Sequence, residues 1–237
     1  MIILQKSIFI KNYMCKDTIH LYCVPGMAAN VSIFENLNLP EHYQVHFIPW
    51  EIPLKGETLQ DYAQRLCSKV TEPNPILMGV SFGGIVIQEM SKFLKIKQLI
   101  VVSSVKTNLE LPKRFKVAQV TKVHKLFPTG LVEKVSDWEQ FFFNEKLKKM
   151  GKLYNKYLTI TDKYYLDWSI DNIINWQQTE PIANTIHIHG ESDAVFPIKN
   201  IKNCIKIPKA THAMIVYKTK WFNENLPLLI ENEKLTI

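Results

Sequence analysis

The stretch Gly79-Val80-Ser81-Phe82-Gly83 is a G-x-S-x-G sequence between two apolar segments. The four residues before it predict a short buried strand, and the seven residues after it predict a buried helix. A strand that turns sharply into a helix at a serine is the setting of a nucleophile elbow. There the two glycines avoid collisions with the neighbouring strand and helix, and the serine hydroxyl lies at the positive end of the helix dipole. The alternative is a glycine-rich turn with an incidental serine.

Two later segments supply an acid and a histidine, each directly after a predicted strand. Asp193 follows an apolar run at 185–188, and His212 follows a short strand predicted around 204–207. Serine, acid and histidine therefore all follow strands of a predicted parallel sheet. Active sites of open α/β sheets lie at the edge formed by the carboxyl ends of such strands.

With these motifs the chain resembles the α/β-hydrolase family over nearly its whole length. The resemblance implies that Ser81 is the nucleophile, His212 the base and Asp193 the acid that orients the base. The G-x-x-D-x-x-x-P run at 190–197 is similar to the acid loop of the family. Glu191 is the alternative acid, and the family spacing favours Asp193 over it.

The same resemblance implies an oxyanion hole formed by the backbone N–H groups of Met27 and Phe82. A strand predicted at 19–24 leads directly into Pro25-Gly26-Met27, where the oxyanion loop is expected. Many members of the family carry His-Gly at this loop, whereas this chain carries Pro25-Gly26. The contact that such a histidine makes with substrate is therefore lost, while the hole itself is expected to remain.

Predicted strands that alternate with helices indicate an α/β fold with a mostly parallel central sheet flanked by helices. The length fits one domain, residues 1–237, with a sizeable core. The segment 106–180 interrupts the alternation, with predicted amphipathic helices at 136–150 and 162–176 and no clear strand. In the family a helical cap is inserted at this point, and the resemblance implies that the cap covers Ser81.

The composition is that of an ordinary globular protein, with 46% hydrophobic and 22% charged residues. No apolar run approaches the roughly 20 residues that span a bilayer, so no membrane span is predicted. The first six residues have no basic region before their apolar residues, which favours an edge strand over a signal peptide and predicts a cytoplasmic protein. The four cysteines show neither metal-like nor redox-like spacing.

The net charge of +7 comes almost entirely from lysines scattered along the chain. Nucleic-acid sites instead favour arginine and clustered basic faces, so we predict no nucleic-acid partner. His187 and His189 form an H-x-H pair that could suggest a metal, but no third ligand is evident. We interpret them as packing or surface residues and expect neither a metal nor a cofactor.

These observations predict a metal-free serine hydrolase that cleaves carboxylic esters through an acyl-enzyme. Its expected partner is a small-molecule ester or thioester, and the sequence makes no prediction of the oligomeric state. One alternative is a thioesterase acting on acyl-CoA or acyl-carrier substrates, because the same triad serves both reactions. An alternative of another class is a protein of the same fold that binds a small ligand without turning it over.

Overall fold

A computed structural model describes residues 17–122 and 155–231. The strand predicted at the first six residues and the helix predicted at 136–150 lie outside these ranges. The strands of the described part are β1 (Ile19–Val24), β2 (Tyr43–Phe47), β3 (Ile76–Val80), β4 (Gln98–Val102), β5 (Ile186–Gly190) and β6 (Ile205–Ile207). The helices there are α1 (Leu59–Leu66), α2 (Phe82–Met90), α3 (Lys113–Thr121), α4 (Lys163–Asn175), α5 (Met214–Tyr217) and α6 (Thr219–Glu231), with short 3₁₀ turns between them.

The strands of the described residues form one sheet in the order β2-β1-β3-β4-β5-β6, and every pair is parallel. This arrangement confirms the predicted α/β fold. The chain moves outward from β1 to β2 and then returns to β3 on the other side of β1. The loops after β1 and β3 therefore leave the sheet at its topological switch point, where open α/β sheets form their binding crevice.

Both faces of the sheet are covered by helices, which explains why the central strands β3 and β4 are almost entirely buried apolar runs. Side chains that point to one face pack against α1 and α2. Side chains that point to the other face pack against α5 and α6. The strands are therefore packed between two layers of helices.

Helix α2 runs through the interior, with every one of its residues buried. It begins immediately after Ser81, whose φ of 54° is unusual for a residue with a side chain. A Cβ on Gly79 or on Gly83 would lie closer than 3.0 Å to backbone atoms, of Gly83 in the first case and of Pro25 in the second. Real Cβ atoms essentially never approach so closely, so the turn from β3 into α2 requires glycine at both positions.

One further sequence prediction is confirmed by the described helices. Helix α4 coincides with the segment predicted at 162–176, and Asp162 caps it by accepting a hydrogen bond from Tyr165 N. Helix α6 contains Pro227 and continues past it to Glu231. No helix of the described residues is both long enough and apolar enough to cross a membrane.

We expect Gly79→Ala to lower the free energy of unfolding by more than about 3 kcal/mol, because the new methyl group meets rigid backbone. Gly56→Ala is the matched control. Gly56 is exposed at φ 76° with nothing near its Cβ position, so only the left-handed backbone penalty of about 1–2 kcal/mol applies. Urea unfolding of both variants measures the difference. Equal losses would show that the turn from β3 into α2 tolerates a side chain.

Candidate active site

Ser81 lies half-buried at the end of β3, where the backbone turns into α2. Because Phe82 is the first residue of α2, its N–H belongs to the first turn and has no partner inside the helix. The N-terminal end of a helix carries a partial positive charge, which favours a negative charge beside Ser81. The elbow therefore combines an accessible hydroxyl with a backbone donor.

The loop after β1 passes directly against Ser81. A Cβ on Gly26 would lie 3.3 Å from Ser81 Cβ. Gly26 O accepts hydrogen bonds from Ala29 N at 3.0 Å and from Trp50 Nε1 at 2.8 Å, which fix the loop. Neither Met27 N nor Phe82 N has a hydrogen-bond acceptor among the described residues. The two N–H groups predicted for the oxyanion hole are thus both free to donate.

His212 connects the serine to a carboxylate. Its Nε2 lies 2.9 Å from Ser81 Oγ, and its Nδ1 lies 2.8 Å from Asp193 Oδ2. Asp193 follows β5 and His212 follows β6, so three separate loops meet at one edge of the sheet. The alternative acid, Glu191, is exposed and the structure does not bring it to this cluster. Of the two carboxylates that the sequence offers, only Asp193 is hydrogen-bonded to His212.

The Asp193 carboxylate is buried and fully engaged. Its Oδ1 accepts hydrogen bonds from Val195 N at 2.8 Å and Phe196 N at 2.9 Å, while its Oδ2 faces His212. Burial alone would raise the pKa of Asp193, but the hydrogen bonds from His212 and the Phe196 backbone outweigh it and hold the pKa below its usual range. The side chain therefore stays ionised next to the imidazole.

Aromatic side chains pack around Phe82, one of the two residues predicted to form the oxyanion hole. Trp50 stacks on Phe82 with ring centroids 5.4 Å apart, and Trp168 meets the same ring edge-on at 6.0 Å. Tyr165 contacts Trp50 from helix α4 at 5.6 Å. Sequence reasoning missed the role of Trp50, which braces the loop through Gly26 O. Its place just beyond the carboxyl end of β2 is the signal that could have identified it.

His187 and His189 point to the same face of β5, and both are buried. This confirms the interpretation as packing residues and excludes a surface position for either side chain. The described residues contain no group of three or more His, Cys, Asp or Glu side chains able to hold a metal ion. Burial lowers the pKa of His189 and holds that of His187 well below its usual value, so both imidazoles are neutral.

No protein-family model matches the sequence. No curated protein matches it either. Solved structures do resemble it. A thermophilic esterase from Thermogutta terrifontis has a TM-score of 0.62 at 14% identity, with 92% of this chain and 91% of that chain covered.

Two further solved structures give the same result. A putative non-heme bromoperoxidase from Mycobacterium tuberculosis has a TM-score of 0.66 at 12% identity, covering 91% of this chain and 93% of that one. An esterase from Exiguobacterium antarcticum has a TM-score of 0.63 at 14% identity, covering 91% and 92%. These likenesses span the chain and agree with its all-parallel sheet, and they show that this protein has the α/β-hydrolase fold.

Proposed function

We propose that this protein is a serine hydrolase that cleaves carboxylic esters, with Ser81 as nucleophile, His212 as base and Asp193 as orienting acid. One observation carries the proposal: His212 lies within hydrogen-bond distance of both Ser81 Oγ and Asp193 Oδ2. A serine hydroxyl is a poor nucleophile unless a positioned base removes its proton. The esterases among the structural neighbours support the same class of reaction.

The geometry allows acylation in a definite sequence of proton transfers. Asp193 accepts a hydrogen bond from the Nδ1–H of His212 and stays ionised, which leaves the Nε2 lone pair directed at Ser81 Oγ. As the Ser81 oxygen attacks the ester carbonyl, its proton moves to His212 Nε2. The resulting imidazolium then gives this proton to the departing alkoxide oxygen, and the alcohol leaves while the acyl group stays on Ser81.

The negative oxygen of the tetrahedral intermediate needs donors that are already in place. The N–H groups of Met27 and Phe82 are the candidates, because neither has an acceptor among the described residues. Such a donor is typically worth about 3–4 kcal/mol in the transition state. Water then replaces the alcohol: His212 takes a proton from it as the water oxygen attacks the acyl-enzyme. The bond between the acyl carbon and Ser81 Oγ breaks, His212 returns the proton to Ser81 Oγ, and the carboxylic acid is released.

We further propose that residues 106–180 form a cap above this site. They lie between β4 and β5 in the sequence, and their described part contains α3 and α4 without a strand. Helix α4 packs its buried Tyr165 and Leu166 against Ala28 of the loop after β1. At its end, Trp176 Nε1 donates to the buried carboxylate of Glu89 on α2 at 2.8 Å. The first contact supports a cap that is anchored at the loop next to the serine, and the second fastens the end of α4 to the far end of α2.

We expect Ser81→Ala to fold normally and to lose ester hydrolysis by roughly 10⁴-fold or more, because triad members act as a unit. The measurement is turnover of p-nitrophenyl acetate by the purified variant, beside labelling of both proteins with a fluorophosphonate. Wild type should be labelled rapidly, and Ser81→Ala should not be labelled at all. Turnover by Ser81→Ala near the wild-type rate would remove Ser81 from the mechanism.

The control for Ser81→Ala is Ser68→Ala, which removes an exposed hydroxyl outside the proposed site that, among the described residues, donates only to Arg65 O. It should keep full activity and full labelling.

The same assay also separates the alternative functions: p-nitrophenyl esters of increasing chain length are compared with acyl-CoA substrates. Preferential cleavage of the thioesters would assign the triad to a thioesterase, and wild type that neither labels nor turns over would indicate a ligand-binding protein.

We expect Asp193→Asn to lower kcat by about 10⁴-fold, because the amide allows His212 to settle in the wrong tautomer. Glu191→Gln is the matched control, since it makes the same change two residues away on an exposed side chain. It should leave kcat within about twofold of wild type, as surface substitutions away from a site usually have small effects. Both variants are assayed together with p-nitrophenyl acetate, and the reverse order of effects would move the acid to Glu191.

A further inference from the structure

A buried line of hydrogen bonds joins the turn behind Asp193 to the backbone of the nucleophile. His189 Nε2 donates to Phe196 O at 2.8 Å. His187 Nε2 donates to Ser104 O at 3.1 Å and lies 3.3 Å from His189 Nδ1. Ser104 Oγ donates to Ser81 O at 2.6 Å. Three successive strands, β3, β4 and β5, are thereby linked beneath the site.

The line closes into a ring through the residues of the proposed triad. Phe196 N donates to Asp193 Oδ1, Asp193 Oδ2 accepts from His212 Nδ1, and His212 Nε2 faces Ser81 Oγ. The ring begins and ends at Ser81, once at its hydroxyl and once at its carbonyl. One half of this ring of hydrogen bonds is the proposed triad, and the other half is formed by His187 and His189 of β5 with their backbone partners.

One placement of protons satisfies every distance in the histidine pair. With its proton on Nε2, His187 donates a hydrogen bond to Ser104 O and shares the same proton with His189 Nδ1 as a second, more distant acceptor. His189 Nδ1 must then be bare, which leaves its proton on Nε2, where Phe196 O needs a donor. His187 thus fixes the tautomer of His189, as Asp193 fixes that of His212.

Phe196 is the residue through which His189 reaches both partners of the nucleophile. Its N–H holds the Asp193 carboxylate, its carbonyl is held by His189, and its ring lies 5.7 Å from the His212 ring. No other donor among the described residues reaches Phe196 O or Ser104 O. An apolar pair in place of the histidines would therefore leave two buried carbonyl groups without partners.

We propose that His189 is a positioning residue for hydrolysis, whose neutral Nε2–H holds Phe196 and so sets Asp193 and His212 against Ser81. This inference rests on the proposed function, because it gives His189 a role in that reaction. His189 does not touch substrate, and it is 3.5 Å from Asp193 Oδ2, too far for a direct hydrogen bond of ordinary strength. Its effect passes through the acid turn.

Four variants test this role with p-nitrophenyl acetate as substrate. His189→Leu removes the donor and should lower kcat by about 10- to 100-fold with KM nearly unchanged, because a small misplacement of the reacting groups costs that much. His189→Gln carries an amide N–H near the former Nε2 position and should recover most of kcat. His189→Asn is one methylene shorter, cannot reach Phe196 O, and should resemble His189→Leu. Ile188→Val changes the opposite face of β5 and should lower Tm slightly without changing kcat.

A second readout needs no substrate. The Nδ1 proton of His212 bonded to Asp193 gives a far-downfield proton NMR signal, which should persist in His189→Gln and broaden or vanish in His189→Asn and His189→Leu. If His189→Leu fails to fold, the two amide variants still decide the question. Wild type that shows the signal but hydrolyses no ester would overturn the proposed hydrolase, while the variant spectra would still test the positioning role.

Two results would overturn the positioning role itself. In one, His189→Leu or His189→Asn folds and retains both wild-type kcat and the His212 signal. In the other, His189→Gln folds yet loses as much activity as His189→Asn, which would show that the donor to Phe196 O is not the feature that matters. Recovery by His189→Gln alone, with similar Tm values for the two amide variants, would support it.

Discussion

The site depends on one constraint: the backbone of the loop after β1 lies in very close contact with the turn from β3 into α2. Gly83 packs against Pro25 O so tightly that no side chain fits between them. The loop after β1, which carries Met27, is therefore held against the first turn of α2, which begins at Phe82. The strained φ of Ser81 follows from the same turn, and the surrounding buried strands hold it there.

Local pattern predicted the sheet well because strands buried on both faces are continuous apolar runs. β1 begins and ends where the sequence places it. β3 was predicted to end at Met78, yet it continues to Val80, since pairing with β4 carries the ladder through a glycine that is locally unfavourable to strands. Where a strand ends depends on its register with strands that are distant in the sequence. A short stretch of sequence holds no information about that register.

The difference between local pattern and long-range contact also explains which residues of the site could be predicted from the sequence and which could not. The elbow, Asp193 and His212 each follow a strand, so their chain order alone predicts that they meet. Ser104 and Trp50 also follow strands, but their contacts are made with backbone carbonyl groups, of Ser81 and Gly26 respectively. Every residue has a backbone carbonyl group, so the sequence does not indicate which of them accepts a side-chain hydrogen bond. Such partners can be identified only from the assembled structure.

The burial of the candidate site is graded in a way that suits the proposed acyl transfer. The Asp193 side chain is fully buried, whereas that of His212 is 27% exposed. A charge in the interior is costly unless donors surround it, and Asp193 is surrounded by two backbone N–H groups and an imidazole. Because those donors are fixed, the carboxylate need not reorganise when His212 becomes charged. In the proposed mechanism, the reaction thus takes place at the exposed end of a chain of hydrogen-bonded groups whose other end is buried in the protein interior.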